Sequence, residues 1–100
     1  MLKISFIDSP TQRRLILEGK LIAPWAAELR TACEEARADL RGREVVIDMK
    51  HITTISQEGE NVLLELINKG IKFRSRGVFT KHVLKELTRR ASSNLQETKR

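Results

Sequence analysis

The chain has 100 residues, 40% of them hydrophobic and 32% charged, which is one small domain with the balance of an ordinary globular protein. No apolar run approaches the ~20 residues of a membrane span, the alternating start MLKISFID does not look like a signal peptide, and the lone Cys33 excludes an intramolecular disulfide and a zinc spacing, so a cytoplasmic, non-membrane protein is expected. The net charge of +6 is uneven: residues 1–70 carry ten basic and eleven acidic side chains, whereas residues 71–100 carry nine basic and two acidic.

Leu2, Ile4 and Phe6 alternate with Lys3 and Ser5, the period of a half-buried strand. The cluster Asp8-Ser9-Pro10-Thr11-Gln12 reads as a turn, and Leu15-Ile16-Leu17 as a second strand closed by Gly19. Two strands joined by a few turn residues predict an antiparallel hairpin, with Gly19 serving a bulge or a positive φ. Pro24 suits the first position of a helix, along which Leu29, Ala32, Cys33, Ala36 and Leu40 share a face, with Gly42 as its stop. Trp25 fits a core lid at the sheet edge, and Cys33 a small buried hydrophobe.

Val45, Val46, Ile47 and Met49 form an apolar run broken by Asp48, which predicts a central strand buried on both faces. Polar residues follow, then Ser56 as N-cap of a second helix. Glu58 and Glu60 lie in its first turn, where the helix dipole favours negative charge. Val62, Leu63, Leu66 and Ile67 form its apolar stripe, and Gly70 is placed to end it. Ile71 and Phe73 alternate with Lys72 and Arg74 in a fourth strand. Thr80 is the candidate N-cap of a third helix with Val83, Leu84, Leu87 and Ala91 as its stripe. Residues 92–100 lack a stripe and read as a polar tail after a single domain over residues 1–91. The expected fold is α/β, in the order β-β-α-β-α-β-α, with a mixed four-stranded sheet and helices packed mainly on one face.

Residues 44–70 resemble the centre of the STAS domain, the family of the bacterial anti-sigma factor antagonists. Val45-Val46-Ile47-Asp48 is similar to the family's third strand. Ile55-Ser56-Gln57-Glu58-Gly59-Glu60 lies where Ile-Asp-Ser-Ala-Gly-Leu opens the family's helix, and Leu17-Glu18-Gly19-Lys20-Leu21 is similar to its Leu-x-Gly-x-Leu. The resemblance covers residues 2–91 and lacks the family's terminal strand and helix. It implies a non-enzymatic regulatory module, of the kind that acts in transcription regulation, docking a protein partner such as an anti-sigma factor or kinase-like regulator through Ser56, Gln57, Glu58, Gly59 and Glu60. Gln57 stands at the family's phosphoacceptor position and cannot take a phosphate, which implies binding not switched there. Ser56, Thr53 and Thr54 are the neighbouring hydroxyls. The absent terminal strand implies a fourth-strand edge that is either blunted by Lys72, Arg74 and Arg76 or paired into a homodimer.

Other readings follow from the residues alone. The basic last third, with Lys72, Arg74, Arg76, Lys81, Lys85, Arg89 and Arg90, suits nucleic acid or another polyanion, although solvated charge is the simpler account. Phe73 and Phe79 fit core positions rather than a base-stacking surface. His51 and His82 have no patterned partners. Asp48 fits a bracing role, because no nucleophile–base pair or second carboxylate accompanies it. No glycine-rich phosphate loop is present, so no cofactor, no metal and no enzymatic activity are expected.

Overall fold

In a computed structural model the chain is described over residues 1–98, with side chains to Ala91. The element order is β1 (Leu2–Asp8), β2 (Gln12–Leu21), α1 (Trp25–Arg37), β3 (Glu44–Ile55), α2 (Gln57–Asn68), β4 (Lys72–Ser75) and α3 (Val78–Thr98). The expected order and mixed sheet are those observed. The four strands lie in the order β1-β2-β3-β4, with β1 antiparallel to β2 and the rest parallel. A sheet that grows in one direction by right-handed crossovers places its crossover helices on one face. Leu29 of α1 and Leu63 and Leu66 of α2 accordingly meet Leu15, Leu17, Ile47 and Met49 of the sheet in one core, which Leu87 of α3, the helix after the last strand, also joins. Each such fully buried side chain contributes roughly 1.5–3 kcal/mol.

The largest departure from the sequence pattern is in β3. The apolar run suggests a strand ending near Met49, but β3 continues to Ile55. Its pairing with β2 shifts twice, between Ile16 and Glu18 and between Gly19 and Lys20, and each shift adds one residue on the β3 side. A bulge of this kind reverses the alternation of faces. Met49, Ile52 and Ile55, spaced by three, therefore all join the core, where an unbroken strand would turn every second residue outward. Gly19 adopts φ 111 at the second shift, and a Cβ there would run into the Met1 carbonyl oxygen, which accepts the Lys20 N–H at 3.0 Å.

Several helix limits differ from the pattern. Pro24 occupies the N-cap position rather than the first turn of α1. That helix ends at Arg37, and Gly42 instead lies with Arg41 in a turn closed by Arg43 N–H to Leu40 C=O, both central residues having positive φ. Thr80 does not cap α3, which starts two residues earlier; its hydroxyl donates to the Gly77 carbonyl from a buried position in the first turn. Phe79 is not a core residue, being 47% exposed, whereas Phe73 packs on the core. The polar tail expected from Ser92 is helical backbone to Thr98: a helix once nucleated propagates through good formers such as Leu95, Gln96 and Glu97 without an apolar stripe. Residues 99 and 100, with the charges of Lys99 and Arg100, lie outside the described part.

Gly70 ends α2 as its sequence position suggests. Its N–H reaches Ile67 C=O at 3.0 Å and the Ile71 N–H reaches Leu66 C=O at 3.2 Å, while Ile71 is buried beside the core. This pair of bonds is the Schellman closure, which uses carbonyls the helix end leaves free. On the sheet face away from the helices, Asp48 is fully buried and its Oδ2 accepts from Arg76 Nη2 at 3.1 Å, so it braces the exit of β4.

Cys33 is buried between α1 and the sheet, and burial pushes its thiol up to about 12 from an ordinary 9.0. The neutral thiol's contribution to stability is then complete below pH 9.0 and is lost as pH rises toward about 12. A thiol reagent at pH 8 should label the native chain only at the rate of its unfolding, and labelling should become immediate in denaturant. Rapid labelling of the native chain would place Cys33 outside the core.

Candidate functional site

The start of α2 is fixed from two sides. Ser56, in extended conformation, turns its Oγ into the helix and accepts the Gly59 N–H at 3.2 Å. Its own N–H donates to the Leu21 carbonyl at the end of β2, at 3.0 Å. Gly59 is buried over that same carbonyl, and a Cβ there would collide with the Leu21 oxygen and crowd the side chains of Leu21 and Ile55. Glycine is disfavoured inside helices, so its place in the first turn follows from close approach of the helix to the end of β2.

This geometry divides the five residues that the sequence singles out. Gln57 and Glu58 face solvent, and Gln57 Nε2 donates to Asn61 Oδ1 one turn on, at 3.1 Å. Ser56 is half-buried as the cap, and Gly59 is buried as a spacer. Glu60 is half-buried, and its carboxylate accepts from Arg90 Nη1 of α3 at 3.5 Å, linking the first turn of α2 to the third helix. Thr53 and Thr54 are exposed at the end of β3, and the Thr53 hydroxyl donates to the Gly19 carbonyl.

Tertiary structure adds neighbours that the linear pattern does not reveal. A shallow depression of 260 Å³ lies beside Glu58 and Asn61 and is bounded by Ala23, Pro24, Ala27 and Arg30 of α1 and the loop before it. Asn61 could have been found from its spacing of three and four residues after Glu58 and Gln57. Nothing in the sequence signals the Ala23–Pro24 side. Arg30 also reaches α2, its Nε donating to Glu65 at 3.0 Å, and this hydrogen bond holds the Glu65 carboxyl below its ordinary range. The exposed start of α2 is therefore a polar ledge with two glutamates, two amides and an arginine, set on a backbone bonded to the sheet. Such a ledge can form hydrogen bonds and ion pairs with another protein.

The basic residues of the last third are not gathered into one free patch. Lys72 pairs with Glu44 at 3.0 Å, Arg76 with Asp48 at 3.1 Å, Arg89 with Glu86, and Arg90 with Glu60 at 3.5 Å. Arg74, Lys81 and Lys85 make no ion pair among the described residues, and they are divided between β4 and α3. His51 is exposed on β3. His82 is exposed on α3, beside a small hollow that also holds Glu60, Glu86 and Arg90. No helix among the described residues is long and apolar enough to cross a membrane. No family model matches the chain, and no curated protein matches it.

The two supports of the α2 start can be tested separately. Ser56→Ala removes the cap and should cost ~1 kcal/mol of unfolding free energy in urea. Gly59→Ala should cost more, although alanine is the better helix former, because its methyl meets the rigid Leu21 backbone. Equal or greater stability of the Gly59→Ala chain would show that the helix start is not held against β2.

Proposed function

We propose that this chain is a non-enzymatic protein-interaction module of the STAS type, akin to an anti-sigma factor antagonist. It docks a regulatory protein partner in the cytoplasm through the exposed ledge at the start of α2. The observation that carries this reading is the buried Gly59 beneath the Ser56 cap. A helix start held by a cap and by a glycine pressed onto the neighbouring strand is presented in one conformation, which lowers the ordering cost of binding. Gln57, Glu58 and Asn61 are the contact residues, Ser56 and Gly59 position them, and Glu60 ties the ledge to Arg90.

Gln57 has no hydroxyl, so partner binding is not controlled by phosphorylation at this position. Ser56 is already used as the cap through its Oγ, which favours a structural role for that hydroxyl. The polyanion reading has less support, since four of the seven basic candidates are engaged in ion pairs. Its signature would be a steep loss of affinity with salt.

The test uses the full chain as bait in an extract of its host, beside a Gln57→Arg, Glu58→Arg double variant whose folding is checked by circular dichroism. Both positions are exposed. A partner protein retained by the wild type should bind the variant about tenfold more weakly, a loss of ~1.4 kcal/mol. Incubation with a serine kinase and ATP should leave residue 57 unmodified and the partner affinity unchanged. Capture of the same partners by both chains would count against the ledge, and capture of nucleic acid alone, released by salt, would favour the basic segment.

A further inference from the structure

The two outer edges of the sheet are built differently. β4 is four residues long and alternates Lys72 and Arg74, with Arg76 just beyond it, so charge protects that edge. β1 is seven residues long, pairs with β2 without a register shift, contains no proline and carries one lysine, Lys3. Long, regular, weakly charged edges invite pairing with another strand.

The hydrogen-bonding direction of β1 follows from its register. Lys20 N–H donates to Met1 C=O at 3.0 Å, and each pair along the hairpin sums to the same total, Leu2 opposite Gly19 and Lys3 opposite Glu18. Bonded pairs alternate in an antiparallel ladder. Lys3, Ser5 and Ile7 therefore bond to β2, and the N–H and C=O groups of Leu2, Ile4, Phe6 and Asp8 point out of the sheet edge. Among the described residues no loop, helix or side chain hydrogen-bonds to them. Phe6 and Ile7 are 51% and 50% exposed. Ile4 and Phe6 also floor an open apolar groove of 430 Å³ against Ala27, Thr31 and Ala32 of α1, with Glu28 and Glu35 at its rim.

We propose that β1 pairs antiparallel with β1 of a second copy of this chain, about a two-fold axis through Ser5, joining the two four-stranded sheets into one continuous sheet. Two-fold symmetry places residue i opposite j and j opposite i. The outward-pointing residues must form the bonded pairs, so the axis passes through a residue of the strand. Centred on Ser5, the register sets Leu2 opposite Asp8 and Ile4 opposite Phe6 and uses the whole strand; centred on Ile4 or Phe6, it leaves one end unpaired. Ile4 and Phe6 of both copies then fill the space between the two α1 helices, which covers the groove. The glutamates of the two rims face each other there, so salt strengthens this association by screening, the opposite of its effect on polyanion binding. The pairing does not depend on what the start of α2 binds.

Symmetry supplies a register-specific test. Ser5 forms a non-bonded pair with its own counterpart, at a Cα separation of ~4.5 Å, which lies within the ~4.4–6.8 Å that a disulfide spans. Under mild oxidation the Ser5→Cys chain should convert to a disulfide-linked dimer. The Lys3→Cys chain should not, because its counterpart is Ile7, but it should cross-link when mixed with an Ile7→Cys chain. Light scattering of the wild type should give twice the chain mass of 11.5 kDa, with the dimer fraction rising with salt, and Phe6→Lys should return it to 11.5 kDa. A wild type that stays at 11.5 kDa while Ser5→Cys fails to cross-link would overturn the proposal. So would equal cross-linking of Ser5→Cys and Lys3→Cys, which signals random collision, or β1 taking up a foreign strand-forming peptide while the chain itself stays monomeric.

Discussion

The carbonyl of Leu21 is the point on which the arrangement of this domain turns. It accepts the N–H of Ser56 and lies beneath Gly59, so the last residue of β2 sets both the depth and the starting position of α2. Any side chain at Gly59 would push the helix away from the sheet. The apolar stripe of Val62, Leu63 and Leu66 would then lose its fit over Leu15, Leu17 and Ile47. The far end of the same helix is closed by the Gly70 turn, which drives Ile71 into the core and delivers β4 alongside β3.

The strand geometry leading to that point depends on the two shifts between β2 and β3. They add residues to β3 and keep Met49, Ile52 and Ile55 on the helix side, and the second falls at Gly19. Bulges strengthen twist and re-aim side chains near functional edges. Here they bring the end of β3 under the start of α2, so the ledge of Gln57, Glu58 and Asn61 is carried by sheet backbone as well as by helix. Asp48 and Arg76 form a second brace on the opposite face, joining the central strand to the segment that leads into α3.

Much of this architecture is legible in the residues because local signals agree with the tertiary result. Hairpin, cap and helix stop are announced by Asp8–Gln12, Ser56 and Gly70, whose roles depend on neighbours a few residues away. The exceptions have a common cause. The true length of β3 is hidden because two bulges break the period-2 pattern. The early end of α1 is hidden because Leu40 continues the apolar stripe after the backbone has turned. Phe79 looks like core but lies in the first turn of α3, where it is left about half exposed. At the candidate site Ser56, Gln57 and Glu58 can be read from the chain, while the burial of Gly59, the Glu60–Arg90 link and the Ala23–Pro24 wall appear only when distant segments meet.

A docking function for the ledge requires that it exist before the partner arrives. The Ser56 amide reports this directly, because its bond to Leu21 is the link between helix start and sheet. Hydrogen exchange followed residue by residue should show the Ser56 and Gly59 amides protected to the same degree as the amides of β3, since both would open only when the core opens. If these two amides exchange like those of an exposed loop while β3 remains protected, the start of α2 frays independently, and a preformed docking ledge is ruled out.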